Sequence, residues 1–142
     1  MDRGKPRPGK AGPSGRRPAG AGKGKRHAFL GRAGEDAAIR HLEGLGLDIV
    51  ERNYRCRLGE VDIIAREGDT LCFIEVKARR TSAFGGGLEA VEGRKRAQVR
   101  RVASYYLSRF GDTPPTCRFD ATEVWLDQSG RPQRVHVVKN AF

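Results

Sequence analysis

Cysteine is scarce in this chain: three residues in 142, at Cys56, Cys72 and Cys117. The number is odd and no two are close in sequence, so neither a disulfide framework nor a cysteine-based zinc site is expected. The pattern suits a reducing cytoplasm. Long apolar runs are also missing; none approaches the roughly 20 residues of a membrane span. Acids are almost absent from residues 1–27, which hold Asp2 against nine Lys and Arg. Aliphatic side chains there are limited to Met1 and alanines, while four of the seven prolines and seven of the nineteen glycines fall in this stretch. Such a segment cannot bury enough apolar surface to offset its ordering entropy. Residues 1–27 are therefore read as a disordered basic tail, and residues 28–142 as one domain. The tail has no apolar h-region of a secretory signal, and it is too rich in Gly and Pro for an amphipathic transit helix.

Of the net charge of +11, the tail carries +8; the remainder, with 19 basic against 16 acidic residues, carries +3. A basic, flexible arm suits a polyanion, nucleic acid first among them. The plain alternative is a solubilising extension without a fixed partner.

What is present is an alternation of helical and strand patterns. Ala38, Ile39, Leu42 and Leu45 recur at the spacing of one helical face, predicting a helix from Gly31 to about Leu45. Glu35 falls on that inward stripe, at the helix start. An acid there also suits the positive end of the helix dipole, but neighbouring Asp36 serves that role equally well from the exposed side. A strand is expected over 47–55, then two more around Asp62 and Glu75. Thr81 to Gly87 reads as a loop. A second helix is predicted from about Glu89 to Phe110, and strands at Arg118–Leu126 and Arg134–Val138. The order is αβββαββ, an α/β fold with a mixed sheet.

The most specific feature is the pair of runs Gly59-Glu60-Val61-Asp62-Ile63-Ile64 and Phe73-Ile74-Glu75-Val76-Lys77. Between them Gly68-Asp69 suits a two-residue type II′ hairpin turn with glycine first. Glu67 then pairs with Thr70, and counting back sets Asp62 opposite Glu75 and Glu60 opposite Lys77. Alternation projects all four to one side. Like charges directly opposed are destabilising, so Asp62 and Glu75 face to face call for a shared divalent cation. Mg²⁺ is typically held by one or two carboxylates plus phosphate oxygens and water. Glu60 and Lys77 read as a cross-strand ion pair.

Asp62 followed by Glu75-Val76-Lys77 resembles the PD-(D/E)xK nuclease motif. Together with Gly34-Glu35, Arg52-Asn53-Tyr54-Arg55, Gly59-Glu60-Val61-Asp62 and Arg118-Phe119-Asp120, it resembles the YraN family, also labelled UPF0102, over about residues 29–142. Where that motif has Pro before Asp, this chain has Val61. The resemblance implies a restriction-endonuclease-like fold, similar in layout to archaeal Holliday-junction resolvases, and phosphodiester hydrolysis with Mg²⁺ or Mn²⁺. It implies the Val76 carbonyl as a further metal ligand beside Asp62 and Glu75, and Lys77 as the group that orients water or steadies phosphate. Glu35 becomes a third acid, ligating a second ion or holding a metal-bound water. A homodimer, frequent among junction-cutting enzymes, is an open expectation.

On the second helix, Lys95 and Gln98 continue the inward stripe, and Arg94, Arg96, Arg100 and Arg101 surround the rest. Helix N-termini and Lys/Arg are good phosphate ligands, so Lys95, Gln98, Arg94 and Arg101 are candidates for nucleic-acid contact. A solvated basic face is the simpler alternative. The expected function is a cytoplasmic endonuclease acting on DNA, with branched DNA among its candidate substrates. The alternative is a nucleic-acid-binding protein that keeps the fold with little turnover.

Overall fold

The computed structural model describes residues 22–81 and 93–142. Helix α1 spans Gly22–Gly44, followed by strands β1 (Asp48–Cys56), β2 (Gly59–Glu67) and β3 (Thr70–Arg80), helix α2 (Gly93–Leu107), a short 3₁₀ turn (Ser108–Phe110), and strands β4 (Cys117–Leu126) and β5 (Pro132–Val138). The expected αβββαββ order is present. The five strands form one mixed sheet in sequence order, with β3 and β4 parallel and every other neighbouring pair antiparallel. Among the described residues, no helix is long and apolar enough to cross a membrane.

Two apolar layers cover the two faces of the sheet. Ala37, Ala38 and Leu42 of α1 pack with Ile63, Ala65, Cys72, Ile74, Val124 and Leu126. Val99, Val102, Ala103 and Tyr106 of α2 pack with Val61, Ile64, Leu71 and Phe73. Each fully buried Val, Leu, Ile or Phe side chain contributes about 1.5–3 kcal/mol of transfer free energy. Tyr106 meets Tyr54 and Phe73 edge-on, at centroid separations of 5.2 and 5.9 Å.

The β2–β3 hairpin has the expected turn. Gly68 takes φ 59 while Asp69 stays on the negative side, as a type II′ turn requires. Glu67 pairs with Thr70, and the ladder runs up to Ile63 against Ile74. There it stops, one step short of Asp62 and Glu75.

Helix α1 begins at Gly22 rather than at Gly31. The expected loop at Phe84 and the following glycines, the first residues of the second helix, and residues 1–21 of the tail lie outside the described residues. Within them, α2 closes at Leu107 and tightens into a 3₁₀ turn that ends at Gly111, whose φ of 62 takes the chain out of the helix.

Candidate metal centre

The site forms where the hairpin ladder ends. Instead of backbone pairing at this step, Asp62 Oδ2 accepts the Val76 N–H at 2.8 Å. The carboxylate thus substitutes for a main-chain carbonyl and is fixed against β3. The opposite side of β2 is irregular as well. Arg52 pairs with Ile63 and Tyr54 with Val61, and between them Asn53, facing Asp62, adopts the left-handed region at φ 53. As a result Val61 joins the α2-side core while Ile63, two residues on, joins the α1-side core. Regular alternation along β2, assumed from the sequence, is broken at Asp62.

Glu75 follows Leu71 and Phe73 on the α2 side of β3. Its carboxylate is largely buried, at 12% exposure, and Oε2 lies 3.6 Å from Lys95 Nζ of α2. The other oxygen, Oε1, is buried without a hydrogen-bond partner. Burial, then the nearby Asp62 charge, pushes the Glu75 carboxyl up to about 8. Asp62 is also raised, chiefly by burial, against the lowering effects of the Val76 N–H and the Lys95 cation. Lys95 further donates to Gln98 Oε1 at 3.1 Å. Gln98 packs directly on Gly59, where a Cβ would lie 2.6 Å from its side-chain carbons. The inward positions of Lys95 and Gln98 expected from helical spacing are thus present.

Glu35 comes from the first helix. Gly34 lets that helix approach β3 closely; a Cβ on it would sit 2.7 Å from Ala78 Cβ. Glu35 Oε2 accepts a hydrogen bond from Asn53 Nδ2 at 3.0 Å and lies 3.9 Å from Arg52 Nε. Burial raises its pKa; the Asn53 bond lowers it, and the Asp62 charge raises it again. Glu35 therefore senses Asp62 electrostatically. Arg52 also engages Asp36, the neighbouring acid at the exposed side of the helix.

Lys77 is exposed on β3 and has Glu123 of β4 as its Cα partner. Glu60 makes its ion pair with Arg55, at 3.0 Å. The expected cross-strand relation between Glu60 and Lys77 lies beyond the end of the β2–β3 ladder, so hairpin pairing does not enforce it. Arg94 and Arg101 are exposed on α2, a helix whose described span contains no acid. Arg100 lies 4.7 Å over the Phe119 ring, and Arg109 lies 3.8 Å over that of Tyr106.

Two residues of this region have no site role that the sequence alone indicates. Glu123 is 2% exposed, pairs with Arg79 at 3.0 Å, and has a buried Oε1 with no hydrogen-bond partner. Its signal was an acid in phase with Phe119 and Ala121 on an otherwise apolar strand. Asn53 is the other; a left-handed asparagine inside a strand leaves no trace in hydrophobic periodicity.

Among the described residues, no three acidic, histidine or cysteine side chains converge closely enough to enclose an ion. A two-carboxylate site does not require them, since phosphate oxygens and water complete the usual Mg²⁺ shell. Asp62, Glu75 and the Val76 carbonyl are the groups that could hold a cation, with Glu35 alongside. The fit rests on the unpartnered Glu75 Oε1 and on the burial that raises the two carboxyls, both of which a divalent cation relieves.

The profile of the Uncharacterised protein family UPF0102 matches residues 34–124. The chain belongs to the UPF0102 family. Its match begins at the Gly34-Glu35 approach and ends in β4 beside Glu123, so it encloses Glu35, Asn53, Asp62, Glu75, Lys77, Lys95 and Gln98. Similar UPF0102 proteins occur in Moorella thermoacetica, 49% identical over 79% of this chain and 93% of the relative, and in Pelotomaculum thermopropionicum, 45% identical over 80% and 95%. A third, from a Parafrankia species, is 48% identical over 75% and 91%.

Proposed function

We propose that this UPF0102 chain is a Mg²⁺- or Mn²⁺-dependent endonuclease that hydrolyses phosphodiester bonds of DNA, built on a restriction-endonuclease-like version of its mixed sheet. The observation that carries the reading is the buried, unpartnered Glu75 Oε1 beside Asp62 at the end of the hairpin ladder. Burying a carboxylate oxygen without a partner is costly. A ligand that supplies positive charge removes that cost.

Asp62 and Glu75 would hold the cation with the Val76 carbonyl. The bound ion would supply charge neutralisation at phosphate and acidify water. Asp62 is oriented by the Val76 N–H. Glu75 is held by Lys95, which Gln98 steadies in turn. Lys77 stands on the same strand, two residues past Glu75, where its ammonium can orient water or support a phosphate. The test is a panel of labelled duplex, branched and single-stranded DNA, with matching RNAs, incubated with Mn²⁺, Mg²⁺ or chelator. Metal-dependent cleavage is the expected result. No cleavage of any member would reject the enzyme reading.

A second reading, nucleic-acid binding without turnover, is favoured by one observation: α2 presents exposed arginines with no acid among them. Binding by Asp62→Asn protein equal to wild type, with no cleavage by either, would select it.

A further inference from the structure

Asn53 is exposed and takes a backbone conformation that non-glycine residues rarely adopt, although asparagine tolerates it better than most. Residues held in such regions persist where surrounding structure fixes them, and they cluster at functional sites. Two consequences follow from φ 53 at this position. No Asn53–Asp62 pair forms between Arg52–Ile63 and Tyr54–Val61, although the β1–β2 register is the same on both sides. That is the same step at which Asp62 turns its carboxylate to the Val76 N–H of β3. The second consequence concerns the side chain. Its Nδ2 donates to Glu35 Oε2 at 3.0 Å, so one residue of β1 joins the acid of α1 to the irregularity that houses Asp62. Glycine would meet the backbone requirement more easily. The amide adds what glycine cannot, a donor aimed at Glu35.

We infer that Asn53 is a positioning residue that holds Glu35 beside Asp62 and thereby sets how strongly the centre binds a divalent cation. The inference rests on the cation-site reading above. Without the Asn53 bond Glu35, only 15% exposed, would be left to Arg52, whose guanidinium also serves Asp36. With Asn53 in place, one carboxylate oxygen is engaged at β1.

The test is calorimetric titration of Mn²⁺ into the full chain, comparing wild type, Asn53→Gly, Glu35→Gln and the double variant. Glycine keeps the left-handed backbone, so Asn53→Gly should melt within a few degrees of wild type without metal. Its Mn²⁺ affinity should fall about 10–100-fold, the usual loss when a residue orienting a ligand is removed. In the Glu35→Gln background the same change should cost no further affinity. A purely structural asparagine would give independent, multiplying losses. Unchanged Mn²⁺ affinity in Asn53→Gly, or independent losses in the double variant, would overturn the inference. If wild type binds no Mn²⁺, the cation-site reading fails, and a metal-free denaturation cycle over the same four proteins decides the rest. Coupling between Asn53 and Glu35 there would uphold the hold on Glu35, and zero coupling would overturn it.

Discussion

Asp62 takes the place of a backbone acceptor for Val76, its Oδ2 receiving the N–H at 2.8 Å where the β2–β3 ladder has ended. One side chain thereby closes a main-chain hydrogen bond and presents charge beside Glu75. The two roles separate by substitution. Asp62→Asn keeps a carbonyl oxygen for Val76 and removes the charge. It should fold normally and lose Mn²⁺ binding and cleavage. Asp62→Ala leaves the Val76 N–H without its acceptor, which costs about 1–3 kcal/mol for a buried donor. Equal thermal stability of the two variants would show that the hydrogen bond is unimportant to the fold. Lys77→Ala should retain most Mn²⁺ affinity while losing turnover, since an ammonium is not a ligand.

Glu75 makes the metal-free protein sensitive to alkali. Its carboxyl titrates at about 8 in the folded chain, from an ordinary value of 4.5. A raised carboxyl stabilises the fold fully below the unfolded value, and that contribution is lost as pH climbs through the folded one. Melting temperature without metal should therefore decline from about pH 5 to beyond 8. Glu75→Gln should flatten this decline. Cation binding competes with the proton, so the rise in melting temperature on adding Mn²⁺ should be small at about pH 5.5 and largest near pH 8.5. A Mn²⁺ effect independent of pH would remove Glu75 from the ligand set.

Much of this centre was legible in the sequence because its parts are local. The Gly68 turn fixed the hairpin register, and helical spacing placed Glu35, Lys95 and Gln98 on inward faces. What could not be read depends on contacts distant in sequence or on rare backbone. Strand periodicity carries the ladder through Asp62, because it contains no signal that a side chain will replace a carbonyl. Left-handed Asn53 looked like an ordinary polar strand position. Glu60 also meets Arg55 of the adjacent β1 strand, a contact that counting along one hairpin does not reach. Glu123 is buried through its Arg79 partner on the parallel neighbour β3, a pairing that needs the crossover through α2 to be known. The early start of α1 was hidden because its first turns lack an apolar stripe and are interrupted by glycine.

Gly34 is a steric requirement, not a flexible joint. A methyl group there would lie 2.7 Å from Ala78 Cβ, and both atoms sit close to rigid backbone. Gly34→Ala should push α1 away from β3, at about 1–3 kcal/mol, the usual cost of overpacking. Because Glu35 is the next residue, Mn²⁺ affinity should fall as well. Gly31→Ala meets nothing within 4 Å and serves as the control, with both properties near wild type. Wild-type melting and Mn²⁺ binding in Gly34→Ala would show that the helix approach does not set the site.

The exposed arginines of α2 provide the remaining test, one that separates phosphate contact from mere solubility. Arg94 and Arg101 are exposed on a helix span without acids, so replacing both by Ala should change melting temperature little. If each neutralises a phosphate, the logarithm of duplex affinity will depend less steeply on the logarithm of salt, by about 0.9 for each arginine removed. Affinity at low salt should fall alike for all duplex sequences, since phosphate contacts carry no base information. Lys95→Ala should behave differently. Its ammonium is committed to Glu75 and Gln98, so its removal should disturb cation binding more than the salt slope. An unchanged slope in the double arginine variant would assign this helix face to solubility and place the nucleic-acid contact elsewhere on the chain.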